Sequence, residues 1–532
     1  MEHSYQEHQS GSNLQSLNPT SDAQLKSDKG FPASPSWQAT AISVGSSIND
    51  RFIRARWPEL LTITAFASIV FAAIPYHEAW SDEAQAWQIA RTTTLAEMFH
   101  SYIRYEGSPG LWHFLLWIMI HLHVTYTGLH WICGLIAITS TAILVYGAPF
   151  PRYLKLSIPF TCFLLFQYAI VARSYVLVPP LLFLIAFFWK GGPLKLSALL
   201  GVLANVSLHA GLISGALLII FIWEHRKSIR ALKFSRRRFF VSAAILGTLY
   251  SVALWTAWPP ADLANHIAAL HNVPAPYFSR IIAVLILPTG EPYILALPFW
   301  IAMVLMLKQR SSLRYLLPLV FLAAFAAVVP SFYWHYGLFV PLLIVVLWIT
   351  WPQRTSPLPS FELIGRIALV YLIGIQIAWS IYALKWDLEN PYSPDLAAAQ
   401  FLRPYVNNKA RILITYIRNA DGLGSGASAT GILPYFDRNI YLNQAMPFYS
   451  WKDGNPSEKE FDDLLPTHPD LVIVETKNAG AIPKIDLNHP KVWELARNGY
   501  HLTHRFCGTM PARLSPYLTS CHLIFEPERT RQ

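Results

Sequence analysis

Residues 57–91 read WPELLTITAFASIVFAAIPYHEAWSDEAQAWQIAR, and this stretch decides the fold of the chain. Its first twenty residues, up to Tyr76, contain Glu59 as their only charged side chain, and twenty residues are the length that an α-helix needs to cross a bilayer. The next fifteen residues are polar and include Asp82 and Glu83. A membrane span that leads directly into an acidic loop predicts a membrane protein with a functional site at one surface.

The composition of the whole chain supports this interpretation. Of its 532 residues, 53% are hydrophobic and 14% are charged, whereas a soluble protein carries about 25% charged residues. This excludes a soluble globular enzyme and a disordered scaffold. Lys and Arg outnumber Asp and Glu by 41 to 31, but the basic residues cluster in short loops between apolar segments. That is the positive-inside pattern of membrane proteins, so we expect no nucleic-acid partner.

Changes in composition divide the chain into three parts. Residues 1–56 are polar and are predicted to be a disordered cytoplasmic tail, without the apolar stretch of a cleavable signal peptide. Residues 57–384 are predicted to form a polytopic α-helical membrane core of about 11–13 spans, with an outer loop at 77–110. In residues 385–532, strand-like and helical segments alternate, which predicts an extracytoplasmic α/β domain. The strand-like segments are 410–417, 471–475, 500–506 and 520–525, and the helical ones are 457–465 and 491–498.

Charge predicts the orientation of the core. Seven basic residues in 224–238 and three in 308–314 place both loops in the cytoplasm, and the arginines before Trp57 place the tail there. Counting apolar segments from that tail, however, puts 224–238 on the opposite side. We therefore expect that one crossing before this loop is miscounted, and the seven basic residues decide the side on which it lies. An odd number of spans keeps the loop 77–110 and the C-terminal domain on the same face.

The outer loop carries the candidate chemistry. Asp82, Glu83 and Glu106 lie in it together with Arg91 and Arg104. One alternative is structural: Ser and Asp at the start of a helix accept hydrogen bonds from free N–H groups, and an acid in the first turn complements the helix dipole. That alternative explains one or two acids but not all three.

This arrangement resembles the GT-C glycosyltransferases, most closely the group of protein O-mannosyltransferases, lipid A aminoarabinose transferases and Rgt-like proteins. The resemblance is carried by Asp82-Glu83 with Arg91 eight residues later, and by an acidic residue before a proline in 105–112. Members often have Pro-Pro where this chain has Ser108-Pro109-Gly110. The sequence Ala172-Arg173-Ser174-Tyr175 resembles another recurrent element of these enzymes.

The resemblance implies an integral membrane glycosyltransferase with its active site on the extracytoplasmic face of a bacterial cytoplasmic (inner) membrane. Such an enzyme moves a hexosyl or pentosyl group, with inversion, from a polyprenyl-phosphate carrier to an envelope glycan, lipid or protein acceptor. The implied partners are this lipid-linked donor, membrane lipid and the acceptor. Asp82 would be the catalytic carboxylate, assisted by Glu83. Glu83 and Glu106 would organise the acceptor or a divalent metal ion.

The departing phosphate needs cations or hydroxyl donors at the membrane surface. For each arginine the alternative is an interfacial side chain that extends its charge to water. A related branch of the family uses a histidine of a later outer loop with the first-loop Glu, which implies Glu106 and His266 as metal ligands. The predicted substrate-binding residues are Glu106, Arg91, Arg104, Arg173, Tyr175, Arg280 and His335.

Two other functions remain open: a transporter or flippase of a lipid-linked substrate, and a non-catalytic GT-C-like protein that binds lipid. Transporters place ionisable residues in mid-membrane on broken helices, often within repeats, whereas here the acids lie in an outer loop and no repeat is visible. Gly422-Leu423-Gly424-Ser425-Gly426 is predicted to be a flexible loop, and pairing of Cys507 with Cys521 stays open. Four histidines around one span are predicted to be interfacial: His113, His121, His123 and His130.

Overall fold

The structure is a computed structural model, and it describes residues 56–230, 236–261, 277–329, 332–352, 360–417, 429–450, 452, 458–480 and 489–528. The predicted tail before residue 56, His266 and the loop 422–426 lie outside the described residues. The described helices and strands of Pro58–Gln532 belong to a single unit.

Helices dominate the first two thirds of the chain. In the described residues, six helices of 18 to 30 residues are long and apolar enough to cross a membrane: Arg56–Tyr76, Gly128–Gly147, Leu208–Arg226, Arg236–Ala257, Tyr333–Thr350 and Ser360–Glu389. The shorter apolar helices are Leu111–His121, Ser174–Phe187, Pro193–Ala204, Tyr293–Gln309 and Leu313–Val328. The prediction of a polytopic helical protein is confirmed.

Ion pairs collect at one end of the helical bundle. Glu224 accepts from Arg314 Nη2 at 2.9 Å and from Trp189 Nε1 at 3.0 Å, so the loops after the helices that contain Glu224 and Lys308 meet there. Glu362 is buried and accepts from Arg310 Nη2 at 2.7 Å. The two basic loops therefore share one end of the bundle, as the sequence predicted.

The apolar segment that does not cross is Leu111–His121. The N–H of Gly110, just before it, donates to Thr256 Oγ1 at 3.4 Å, at the far end of the helix that begins with the basic residues 236–238. The following helix begins beside His130, which lies next to Glu83 of the outer loop. Both ends of the segment thus lie at the outer-loop end. This resolves the conflict in the count, since six segments remain between residue 56 and the basic loop, and an even number returns the chain to its starting side.

Those six segments are of mixed regularity. Four are single helices or nearly so, one is the short helix Pro193–Ala204, and one is a broken run of short turns over 152–172. The break brings the chain back to the outer end in an extended conformation at Arg173, with φ −122° and ψ 165°.

The C-terminal region forms a four-stranded sheet, β1 (Ile412–Ile417), β2 (Leu471–Ala479), β3 (Tyr500–Ala512) and β4 (Ser515–Pro527). The strand order is β1-β2-β4-β3, with β1 and β2 parallel and the other neighbours antiparallel. The strands β1 and β2 are near-continuous apolar runs because both faces of the sheet are covered. The covering helices are Asp395–Asn407, Glu458–Leu464 and Pro490–Arg497.

All four predicted strands are present, and three of them extend beyond the predicted bounds. The hairpin of β3 and β4 aligns Cys507 with Cys521, and these two cysteines form a disulfide. The prediction of a C-terminal α/β domain is confirmed.

This domain lies on the outer-loop end of the helical bundle. The backbone N–H of Tyr392 donates to Glu78 at 2.8 Å, and Trp386 Nε1 donates to the carbonyl of Thr509 at 2.9 Å. Arg513, just after β3, pairs with Glu291 at 2.8 Å. The outer loop and the domain therefore build one surface.

We expect this surface to be extracytoplasmic and the basic loops to be cytoplasmic. Cysteines introduced as Asp463→Cys and Ser311→Cys test this, since both positions are exposed at opposite ends of the described structure. The native background is low because Cys133 and Cys162 are buried and the other two cysteines are bonded to each other.

An impermeant maleimide applied to intact spheroplasts should label Asp463→Cys and should reach Ser311→Cys only after permeabilisation. Labelling of both before permeabilisation, or the reverse pattern, would reject the proposed orientation.

Candidate active site

The outer loop contains a helix, Ser81–Thr92, here named the loop helix. Its first free N–H group, that of Trp80, donates to Glu83 Oε1 at 3.2 Å. Neither Ser81 nor Asp82 provides a side-chain cap. The capping alternative for Asp82 is therefore wrong: its carboxylate is not used for capping and is available for other contacts.

Glu83 points into the protein and is fully buried. Its Oε2 accepts from the backbone N–H of Ala172 at 2.8 Å and lies 2.9 Å from His130 Nε2. Both carboxylate oxygens are thus engaged. The prediction that Glu83 acts as a catalytic residue is not supported by this geometry, because its side chain is enclosed and has no access to a substrate; it positions the loop helix.

The same cluster extends to the last membrane span. His77 Nε2 faces Glu83 Oε1 at 3.8 Å, and His77 Nδ1 lies 3.1 and 3.2 Å from the two oxygens of Asp387. Burial by itself would lower the pKa of His77, but the charges of Asp387 and Glu83 raise it to about 10. For Glu83, burial would raise the pKa, but the neighbouring imidazoles hold it well below its usual range. The cluster is therefore a pair of carboxylates that attracts positive charge.

Asp82 lies at the surface above this cluster. Its Oδ2 accepts from Arg173 Nη2 at 2.8 Å, and the Asp82 side chain is 41% exposed while that of Arg173 is 17% exposed. The guanidinium of Arg173 lies over the rings of Trp334 (4.8 Å to the ring centre), Tyr175 (5.4 Å) and Trp80 (5.7 Å). Its Nη1 is buried and has no hydrogen-bond partner among the described residues. An accessible carboxylate and a cation with a free donor therefore stand side by side.

Glu106 lies near this pair. Its Oε1 accepts from Gln85 Nε2 at 2.9 Å, and the Oε1 of Gln85 accepts from the backbone N–H of Tyr449 at 2.9 Å. Burial of the carboxyl, together with the negative charge of Asp82, raises the pKa of Glu106 to about 7. Glu106 can therefore gain or lose a proton at neutral pH, beside a carboxylate that stays accessible.

His335 and Tyr175 join the site through ring contacts. The Tyr175 and His335 rings lie 5.6 Å apart, and His335 stacks on His209 at 4.4 Å. His335 Nδ1 accepts from the backbone N–H of Phe332 at 2.9 Å, so the ring proton is on Nε2 when the imidazole is neutral. These two predicted residues thus lie with Arg173.

Three other predicted residues are held elsewhere by backbone carbonyls. Arg91 donates to Leu433 and Pro434 at 3.3 and 3.4 Å, and burial lowers its pKa. Arg104 Nε donates to Trp258 at 3.1 Å. Arg280 Nη1 donates to Ala327 and Val328 at 3.5 and 3.4 Å. The structure does not bring these arginines to Asp82, because each is bound to a different segment.

The C-terminal sheet supplies a residue that the sequence did not reveal. Lys477 of β2 pairs with Glu475 at 3.1 Å and also interacts electrostatically with Asp82. Its signal in the sequence is weak: Glu475, Thr476 and Lys477 continue an otherwise apolar strand. His130 is a second residue whose role the sequence did not reveal. Its position beside a span predicts an interfacial side chain, whereas it is buried against Glu83.

Only one group of three potential metal ligands occurs in the part of the chain that the structure describes, and it consists of His77, Glu83 and His130. One ligand atom from each lies within 4.8 Å of the other two. The predicted pair of Glu106 and His266 is untested, because His266 lies outside the described residues.

No protein-family model and no curated protein matches the chain. Among solved structures, it is similar to the one described as the crystal structure of ArnT from Cupriavidus metallidurans in the apo state. The sequences are 12% identical, the match covers 87% of this chain and 97% of that chain, and the TM-score is 0.49. At this level the similarity carries no weight for function, which has to be argued from the site.

Proposed function

We propose that the chain is an integral membrane glycosyltransferase that moves a sugar from a polyprenyl-phosphate carrier to an acceptor hydroxyl. The observation that carries this proposal is the pair of Asp82 and Arg173 at the outer-loop end of a helical membrane bundle. Transfer of a sugar away from a phosphate needs a base for the incoming hydroxyl and positive charge for the leaving group. Asp82 provides the base and Arg173 the positive charge, and their Oδ2 and Nη2 atoms lie 2.8 Å apart.

The reaction can be written on these two residues. The Asp82 carboxylate accepts the proton of the acceptor hydroxyl while its oxygen bonds to the anomeric carbon. The bond between that carbon and the phosphate oxygen breaks, and the lipid phosphate leaves with the electron pair. Arg173, whose side chain is 17% exposed, stabilises the negative charge on this phosphate through its guanidinium. A single displacement of this kind inverts the anomeric centre.

The other residues of the site assist these steps. Glu106 orients the acceptor as a hydrogen-bond acceptor when ionised, and Lys477 adds a second positive charge near Asp82. Tyr175 and His335 contribute donors beside Arg173. The polyprenyl chain of the donor would lie against the apolar exterior of the bundle.

The geometry favours catalysis over the two alternatives. A flippase or transporter needs ionisable groups along a path through the membrane. Asp82, Arg173 and Glu106 instead converge at one end, under a domain that would obstruct a path. A non-catalytic lipid-binding protein would have no need of an accessible carboxylate that neutralises the charge of its own phosphate-binding arginine.

Asp82→Asn should strongly reduce transfer without loss of folded protein. The ion pair with Arg173 is partly exposed, and such pairs contribute about 0–1 kcal/mol. Asn keeps an oxygen acceptor but is not a base, so we expect the rate of transfer from a polyprenyl-phosphate sugar donor to fall about a hundredfold or more. The measurement is transfer by purified protein at matched concentration.

Two variants act as controls for this experiment. Glu389→Gln removes one exposed negative charge from the same end of the bundle and should leave transfer unchanged. Glu83→Gln removes a buried ionic partner and should reduce the folded protein that accumulates, since breaking a buried pair destabilises by about 3–5 kcal/mol. Equal rates for wild type and Asp82→Asn would reject Asp82 as the base, and no transfer by wild type with any donor would favour the non-catalytic alternative.

The pKa of Glu106 generates a second expectation. Its ionised form accepts hydrogen bonds from an acceptor sugar or alcohol, so kcat/KM should rise with pH through about 7. Glu106→Gln keeps the contact with Gln85 but does not titrate, and this inflection should disappear. An inflection that persists unchanged in Glu106→Gln would assign it to another group.

Stability provides a readout that does not depend on activity. Because the folded pKa of Glu106 lies above its ordinary value of 4.5, the folded state holds a proton that the unfolded state has released between about pH 4.5 and 7. The stability that this bound proton contributes is therefore present at low pH and is lost as the pH rises through about 7. Thermal unfolding of wild type should therefore shift downward across this range more than that of Glu106→Gln.

A further inference from the structure

We propose that His77, Glu83 and His130 form a binding site for a divalent transition metal of the zinc class, beneath the catalytic surface. This goes beyond the proposed transfer reaction and does not depend on it. The three residues come from the end of the first span, the loop helix and the second span. All three side chains are nine-tenths or more buried.

The distances suit a single ion. His130 Nε2 and Glu83 Oε2 are 2.9 Å apart, and His77 Nε2 and Glu83 Oε1 are 3.8 Å apart. Ligands held tetrahedrally at about 2.1 Å from one ion are about 3.4 Å from each other. This value lies between the two separations, which are measured to different oxygens of Glu83, and one ligand atom from each residue lies within 4.8 Å of the other two. Small side-chain rotations would therefore bring one Glu83 oxygen and both imidazole nitrogens onto one ion.

The hydrogen bonding of the imidazoles supports ligation. Within the described part of the chain, His77 Nε2 and His130 Nε2 are buried without a hydrogen-bond partner, although His130 Nε2 lies close to Glu83. The short approach of His130 is not aligned as a hydrogen bond. Unpaired buried polar atoms cost free energy, and both of these atoms are aimed at the same carboxylate. An ion between them would satisfy both.

Asp387 provides the supporting partner that ligating histidines usually have. Its carboxylate lies 3.1 Å from His77 Nδ1 and holds a proton on that nitrogen, so Nε2 becomes the lone-pair donor when the ion displaces the second proton of the imidazole. Charge balance points the same way. Glu83 and Asp387 are two buried negative charges whose ion-pair partners among the described residues are imidazoles and not Lys or Arg. A dication that displaces the imidazole protons would neutralise both carboxylates.

Two imidazole nitrogens and one carboxylate oxygen are the donor set of zinc sites that keep a fourth position open. The enclosed position argues against direct contact with an acceptor. Because Glu83 is the neighbour of Asp82 on the loop helix, the ion would instead fix the orientation of that helix. The role of the ion is therefore to position the loop helix that carries Asp82.

The test uses the full chain in detergent, freed of metal with a chelator and then dialysed against Zn²⁺. Elemental analysis should find about one zinc per chain in the wild type and less than about a tenth of that in His130→Asn. The matched control is His113→Asn, since His113 is also a buried histidine on an apolar helix but lies outside the cluster. It should retain the metal.

A second variant covers the case in which His130→Asn does not fold. Asp387→Asn keeps all three ligands but loses the supporting charge, and should weaken Zn²⁺ binding by about 10–100-fold. X-ray absorption at the zinc edge of the wild type should show nitrogen and oxygen ligands at about 2.0–2.1 Å. Sulfur ligands, no zinc in the wild type, or equal zinc in His130→Asn and the wild type would each overturn the proposal.

Discussion

A buried carboxylate that must have every oxygen satisfied organises the outer end of this protein. An ionised Glu83 without partners would be several kcal/mol too costly to bury. It is tolerated because the N–H of Trp80, the N–H of Ala172 and the imidazole of His130 converge on it. Those contacts join the loop helix, the break between two apolar segments and the second span. The same break exposes Arg173, so the partner of Asp82 is positioned by the contact that satisfies Glu83.

The loop helix is fixed from its other side by the C-terminal domain. Gln85 and Gln88 bind backbone groups of Tyr449 and Pro447, and Arg91 binds the carbonyls of residues 433 and 434. These contacts use only backbone groups of the domain, so they do not depend on which side chains those residues carry. The domain thus completes the site: it holds the loop helix in place, and through Lys477 it adds a positive charge. Its removal would expose the loop helix and leave Glu106 without the clamp on Gln85.

The sequence predicted those features that depend on local pattern. Apolar runs of the right length identified the spans, basic loops identified one end of the bundle, and alternating segments identified the four strands. Arg173 was recognisable because it interrupts two apolar segments. The partners that act over long separations were not predictable: His77 meets Asp387 across 310 residues, and no periodicity links them. The prediction for His130 was wrong because a histidine at the start of a span looks the same whether it faces headgroups or a buried carboxylate. The orientation count failed for a related reason, since the apolarity of Leu111–His121 does not reveal that both of its ends return to the same side.

Helix geometry explains why two adjacent acids divide their tasks. Successive residues on an α-helix point about 100° apart, so Asp82 and Glu83 cannot both face the same surroundings. On a helix that lies on the membrane core, one of them faces the interior and its neighbour points along the surface. Glu83 takes the inner position, where its longer side chain reaches the N–H of Ala172 and the imidazole of His130. Asp82 takes the outer position, where its side chain is 41% exposed and pairs with Arg173. Glu83, whose two oxygens both have close polar partners, is therefore the structural acid. The acid that remains exposed is the one whose carboxylate can change partners during a reaction.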